Sequence, residues 1–186
     1  MPSSSWAHIS ATIDKIYALA PTSVLDIGVG FGKWGFLLRE YLDVCQNRYN
    51  KTEWRTKIDG IEIFAPYITD VHRFLYDNII IGDVREVISQ VDDYDLIIIG
   101  DVIEHLPKPD ALLLIDQLVK KGKSILINLP LGVWEQGEVF GNPHEEHVSI
   151  WNIGELEHYN VRSHDVFRFI DGRELVLLEI AGLHKL

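Results

Sequence analysis

Five short apolar runs constrain the fold of this 186-residue chain more than any other feature: "SVLDIG" from Ser23, "KIDGIEI" from Lys57, "NIIIGD" from Asn78, "DLIIIGD" from Asp95 and "SILINLP" from Ser124. They are rich in Val and Ile, and most are continuously apolar rather than alternating. That is the pattern of strands buried on both faces of a parallel sheet. Helical patterns fall between them. Trp34, Leu37, Leu38, Tyr41 and Leu42 follow the first run at i, i+3, i+4, i+7 and i+8, "APYITDVHRFLYD" follows the second, and "PDALLLIDQLVKKG" follows the fourth. Repeated strand and helix alternation predicts an open α/β sheet with right-handed crossovers and helices on both faces.

The two ends depart from this rhythm. Trp6, Ile9, Ile13, Ile16, Tyr17 and Ala20 recur at helical spacing and predict a helix within residues 1–20, stopped by Pro21. At the other end, "VRSHDVFRFI" and "RELVLLEIAGL" flank Asp171-Gly172, which predicts two antiparallel strands on a tight turn. The expected architecture is a Rossmann-like, mostly parallel seven-stranded sheet that ends in an antiparallel hairpin. We read one domain over residues 1–186: the N-terminal helix, a ligand-binding core over 22–130, a loop or lid over 131–150, and a last helix from Trp151 followed by the hairpin. Residues 43–56 and 131–150 read as long polar loops.

Composition narrows the partners. A formal charge of −11 and a pI near 5.1 argue against holding nucleic acid by phosphate neutralisation, which needs clustered Lys and Arg. No run approaches a membrane span, and "MPSSSWAHIS" lacks the basic start and apolar centre of a signal peptide, so a cytosolic protein is expected. The lone cysteine, Cys45, has no partner for a disulfide or a C-x-x-C pair and is assigned no role. Oligomeric state is not legible.

The first strand passes directly into "GVGFGKWG", glycine-rich where an open α/β sheet places its ligand crevice. A Walker loop needs Gly-Lys followed by Ser or Thr, whereas Gly32-Lys33 is followed by Trp34. Lys33 is therefore expected to be solvated. The dinucleotide pattern G-x-G-x-x-G fits Gly30, Gly32 and Gly35 only if the glycine that ends the strand, Gly28, is ignored. What remains is D-x-G-x-G-x-G, with Asp26 at the strand end and Gly28, Gly30 and Gly32 alternating after it. A carboxylate there repels a pyrophosphate and attracts an ammonium. S-adenosylmethionine has an ammonium, a sulfonium and no phosphate. Three more acids close later strands: Glu62, placed to accept ribose hydroxyls; Asp83, placed to accept an adenine amino group beside the backbone N–H of Val84; and Asp101.

With these residues in view, the sequence resembles the class I S-adenosylmethionine-dependent methyltransferases over about residues 22–180. "VLDIGVGFG" is similar to the family's first motif, "GIEI" to its second, "GDV" to its third and "DLIIIGDVIEHL" to its fourth, and the closing hairpin fits the family's antiparallel seventh strand. The resemblance implies that Asp26, Gly28, Gly30 and Gly32 line the methionine end, Glu62 and Ile63 the ribose, and Gly82, Asp83 and Val84 the adenine, with Asp101 and Val102 alongside. The bulky Lys33-Trp34 at the loop exit and the insert at 43–56 depart from the pattern without removing any of these residues.

Methyl transfer is an in-line displacement, so the protein must orient the acceptor and often take its proton. "DVIEHLPKP" follows the fourth strand, and a helical turn there would put Asp101, Glu104 and His105 on one face. His105 is the candidate general base; its competing role is packing beneath the cofactor. Glu104 is a second candidate, with a solvated first-turn acid as the plainer role. D/E-V-x-E-H at this place is similar to the small-molecule O-methyltransferase branch. In "GNPHEEHVSIW", His147 is the third catalytic candidate. Glu104 and His105 with His144 or His147 would also suit a divalent metal, as in the RNA-terminal ribose methyltransferases with an E-x-x-E-H element and a later His. We assign no metal, and read the segment as a lid over the acceptor. Trp134, Phe140 and Trp151 are candidates to wall an apolar or sugar-faced pocket, with core packing favoured for Trp151. The expected function is methyl transfer to a hydroxyl of a small-molecule or carbohydrate-like acceptor. The rivals are a nicotinamide-dependent oxidoreductase, a non-catalytic cofactor- or partner-binding module, and a metal-assisted RNA methyltransferase.

Overall fold

Each apolar run is a strand in the computed structural model, which describes residues 4–183: β1 (Ser23–Ile27), β2 (Lys57–Glu62), β3 (Asn78–Ile81), β4 (Tyr94–Gly100) and β5 (Gly122–Leu131). They pair in parallel, and the terminal hairpin of β6 (Val161–Arg168) and β7 (Glu174–Ala181) adds antiparallel to β5 through β7. The order β3-β2-β1-β4-β5-β7-β6 makes one seven-stranded sheet in which only β7 runs against the rest. The chain winds outward in one direction from β1 through β2 and β3, then returns to β4 on the other side. The crevice beyond the carboxyl ends of β1 and β4 is therefore the topological switch point, where such sheets hold ligands.

Continuous apolar strands are needed because both faces are covered. Val24, Leu96, Ile98 and Leu126 pack under α1 (Ile9–Leu19), α2 (Lys33–Leu42) and α3 (Asp70–Leu75), joining Ile16, Trp34, Leu38 and Leu75. Their strand neighbours Leu25, Ile97, Ile99, Ile125 and Ile127 point the other way, to α4 (Val84–Val87) and α5 (Lys108–Lys121). Among the described residues, no helix is long and apolar enough to cross a membrane.

Several expectations need correction. The N-terminal helix starts at Ile9, leaving Trp6 outside it and largely exposed. The helix expected from Trp151 is a single 3-10 turn, Ile153–Glu155. Ile153, Leu156 and Tyr159 have helical spacing, but they satisfy the core beside α5 from an irregular segment, and Gly154 disfavours a helix. Trp151 is core, 1% exposed. The hairpin turn spans three residues, not two: Gly172 N donates to Phe169 O, Phe169 N donates to Arg173 O, and Gly172 takes φ 85°. That is the turn-plus-bulge hairpin, in which glycine holds the left-handed position. Residues 43–56 contain two 3-10 turns rather than a plain loop, anchored by buried Asp43, which accepts from Arg39, Arg48 and the Arg55 amide. Cys45 is free and exposed.

Candidate functional site

The loop from β1 to α2 takes left-handed φ at Gly28, Gly30 and Gly32 (77°, 52° and 82°). A Cβ on Gly28 would lie 2.4 Å from Val102 Cγ2, so a side chain there would displace Val102 as well as strain the left-handed backbone. Gly32 is the N-cap of α2 and packs toward the His72 ring. The loop is held from behind. Gly28 N donates to Ile61 O (2.9 Å), Gly30 N donates to Glu62 Oε2 (2.8 Å), and His72 Nε2 donates to Gly30 O (3.0 Å). The tautomer of His72 follows from its other nitrogen: Thr69 N donates to Nδ1 (3.0 Å), so the ring proton is on Nε2.

Outside this loop a cleft opens along the carboxyl ends of β1, β2, β3 and β4, enclosing about 990 Å³ of space with its mouth included. Gly28, Gly30, Glu62, Ile63 and Gly82 line it, as do Asp83, Val84, Asp101, Val102 and His105. Asp26, Gly32, Glu104 and His147 do not line it. Asp26 is wholly buried beneath the loop, where it accepts from Tyr76 Oη, and Tyr76 Oη accepts from Gly35 N (3.0 Å). Burial pushes the Asp26 carboxyl up to about 7 against the lowering effect of the tyrosine. Its role is to brace the first turn of α2 through Tyr76.

The other strand-end acids differ in state. Glu62 is 4% exposed and accepts from Gly30 N and Phe64 N, and burial raises its pKa. Asp83 caps α4, accepting from Arg85 N (2.9 Å), and the Arg85 guanidinium holds its carboxyl below the usual carboxylate range. Arg85 also pairs with Asp110 at 2.7 Å, so its charge is engaged. Asp101 leaves β4 in a left-handed conformation, φ 53°, which Asp tolerates better than most residues. Burial pushes it up to about 6. Its Oδ2 has no hydrogen-bond partner and lies 3.9 Å from Nε2 of fully buried His8.

Lys33, expected in solvent, is on the cleft wall and donates to Ser4 O, with burial lowering its pKa. The N-terminal segment thus reaches the site through Ser4, which also lines the cleft. The helical face expected for Asp101, Glu104 and His105 does not form. The chain bends at Asp101 and continues as a 3-10 turn, Ile103–His105, so His105 faces the cleft and Glu104 turns inward. Glu104 is not a solvated acid: it is 1% exposed, its Oε2 has no partner, and burial, then Asp101, raises its pKa well above normal.

Inside, Glu104 meets both histidines. One ligand atom from each of Glu104, His105 and His147 lies within 4.8 Å of the others. His105 Nδ1 donates to Glu146 O (3.0 Å), and His147 Nδ1 donates to Trp134 O (2.8 Å). Carbonyls accept only, so both rings carry their proton on Nδ1 and leave Nε2 with a lone pair. Burial lowers both histidine pKa values and favours these neutral forms. Such a set has the chemistry of a divalent-metal site, with each imidazole oriented by a backbone carbonyl.

The segment after β5 supplies Asn142, His144 and Glu145 to the cleft, and α3's approach supplies Tyr67. Trp134 is not part of the wall; it packs on Phe169 and beneath Arg173. Sequence reasoning missed Tyr67, His72 and Tyr76. Only His72 had a local signal, the Thr69-x-x-His72 capping box.

No protein-family model matches the sequence, and a search of curated proteins returns no match. Solved structures do match. The N-terminal domain of EvdMO1 with S-adenosylhomocysteine (SAH) bound superposes with a TM-score of 0.63 at 14% identity, covering 93% of this chain and 80% of that one. The methyltransferase domain of bacterial CtHen1-C gives 0.59 at 14% identity, over 95% and 97%. An O-methyltransferase family protein from Burkholderia thailandensis gives 0.57 at 12% identity; it matches 94% of this chain, which spans 57% of that longer one. At these identities, the likeness is one of fold.

Proposed function

We propose that the chain is an S-adenosylmethionine-dependent methyltransferase acting on a hydroxyl of a small-molecule or carbohydrate-like acceptor. The observation that carries this is the cleft wall itself: a left-handed glycine loop at the switch point, with Glu62, Asp83 and Asp101 around it. Lys33 is turned to Ser4 O, and Arg85 is paired with two carboxylates, so a pyrophosphate would meet acids rather than open cations. An ammonium and a sulfonium fit that wall of carboxyl groups. The fold shared with the SAH-bound domain supports the same choice.

In this reading Gly28 and Gly30 hold the methionine end, Glu62 and Ile63 the ribose, and Gly82, Asp83 and Val84 the adenine. The bound cofactor supplies an electrophilic methyl group. With that group bound, His105 would take the acceptor's hydroxyl proton at Nε2. That nitrogen has the free lone pair, and the lowered pKa keeps it unprotonated at neutral pH. Residues 131–150 are the acceptor-side lid, through Asn142, His144 and Glu145. Calorimetric titration with SAH and with NAD tests the reading. SAH should bind and NAD should not, and NAD binding alone would sink it.

A second reading has its own support in the Glu104, His105 and His147 cluster. A divalent ion held there would lower the pKa of an acceptor hydroxyl, leaving no need for a protein base. The donor set fits, because the buried Glu104 Oε2 lacks a partner and both Nε2 lone pairs are free of the carbonyls. Methyl transfer that is abolished by EDTA and restored by Mn²⁺ would select this reading; activity indifferent to EDTA would remove it.

A further inference from the structure

An amino-acid end is a zwitterion, and a wall of one sign of charge serves only half of it. Glu62, Asp83 and Asp101 line the cleft and suit an ammonium. The carboxylate that S-adenosylmethionine and SAH carry on the same carbon would be repelled by those acids unless a cation stood among them. Among the described residues, the cleft is lined by one lysine and one arginine, Lys33 and Arg85. Arg85 is already paired with Asp83 and Asp110.

Lys33 is in a different state. It is the first residue of α2, directly after Gly32, so its side chain leaves the same loop as Gly28 and Gly30 and is half-buried on the cleft wall. Its ammonium donates to a neutral acceptor, Ser4 O, and forms no ion pair with a carboxylate among the described residues. Ser4 lines the cleft too. An ammonium has three donors, and the carbonyl takes one of them. Burial lowers the lysine's pKa, with the charge of Asp101 opposing, so the cation is desolvated without a direct partner of opposite sign. The first turn of α2 carries no acid, and the positive end of the helix dipole adds to the field at the same place.

We propose that Lys33 is the counter-charge for the carboxylate of the cofactor's amino-acid end, with Ser4 O holding its ammonium in position. The strand-end acids are then left to the ammonium and the sulfonium. One cation among three acids matches one carboxylate beside one ammonium, whereas a pyrophosphate would set its charges against the acids. The sequence places this lysine where a phosphate loop would have one, but the loop lacks the hydroxyl residue that should follow, and Trp34 stands there instead. The inference rests on the methyl-transfer reading for the ligand. It goes beyond that reading by giving a role to a residue at the loop exit, where this chain departs from the family pattern.

The test is titration calorimetry on the full chain with SAH and with decarboxylated SAH, which keeps the nucleoside, the thioether and the amine and lacks only the carboxylate. The wild type should bind SAH about tenfold more tightly, or better, as expected for a charge-assisted contact. Lys33→Met keeps the side chain's length and helix preference. It should weaken SAH by about tenfold or more while the affinity for decarboxylated SAH stays within about twofold. Lys33→Arg should keep the preference for SAH. A wild type that binds the two ligands equally would overturn the assignment. So would a Lys33→Met variant that weakens neither ligand, or one that weakens both alike, because the lysine would then act only through Ser4 and the fold. A wild type that binds neither ligand would refute the methyl-transfer reading itself, whereas lost discrimination in a chain that still binds SAH refutes only the role of Lys33.

Discussion

Replacing Asp26 with asparagine should change how the stability of the protein depends on pH. The carboxyl is fully buried, its Oδ1 has no partner, and its pKa is pushed up to about 7 from an ordinary 3.8. Between those values the folded chain holds a proton that the unfolded chain has released, so unfolding releases it and stability falls as pH rises. Each pH unit across the window is worth about 1.4 kcal/mol, so the carboxyl removes about 4 kcal/mol by pH 7 and little more above it. The amide of the Asp26→Asn variant would be neutral throughout and would keep an oxygen for Tyr76 Oη. Urea denaturation of both proteins from pH 4.5 to 8.5 should therefore give the smallest difference at the acid end, about 1 kcal/mol. The variant should gain steadily until about pH 7 and then hold a constant lead. Glu62 interacts with Asp26, so the difference curve reports Asp26 together with that coupling, while buried acids elsewhere act equally in both proteins. Tyr76→Phe removes a hydrogen bond that lowers this pKa and should move the plateau to higher pH. A flat difference curve between wild type and the asparagine variant would refute the assignment of a buried, neutral carboxyl.

Gly28→Ala should weaken SAH binding at least tenfold and destabilise by about 1–2 kcal/mol from the left-handed φ alone, with the Val102 contact adding to both; titration calorimetry and urea denaturation read the two effects. Arg39→Ala should cost about 3–5 kcal/mol, because Arg39, 2% exposed, joins Leu75 O, Asp43, Thr56 O and Asp77, and its loss leaves buried Asp43 short of a counter-charge. A loss below about 1 kcal/mol in urea would show that Arg48 alone suffices for Asp43. His105→Gln should lower kcat by about 10²–10⁴ if the histidine is the base, with SAH affinity nearly unchanged. An unchanged kcat on a glycoside that supports turnover would move the role to the metal cluster or to orientation alone.

What the sequence disclosed about this site, and what it withheld, divides along a physical line. A residue at the carboxyl end of a strand is placed by its own few neighbours, so Glu62, Asp83 and Asp101 could be set on one rim from the apolar runs that precede them, and they line one cleft. What each carboxylate bonds to is decided by crossovers, and those partners are far away in the chain: Tyr76 lies 50 residues from Asp26, and Glu62 lies 32 from Gly30. The chemistry read for Asp26 was that of a ligand contact, yet the fold interposes the loop, and the acid supports the first turn of α2 through Tyr76. Glu104 shows the same shift in the opposite sense. Read as a first-turn acid it belongs in water, but the left-handed bend at Asp101 rotates it into the interior and beside two histidines whose Nδ1 atoms are already committed to carbonyls. Lys33 looked solvated because its partner is not a side chain at all but the carbonyl of Ser4, on the segment before α1. The glycine loop therefore has acids on two levels, one facing the cleft and one beneath it. Substitutions at Glu62 should register in both ligand binding and loop geometry, because the residue lines the cleft and its carboxylate accepts from Gly30 N.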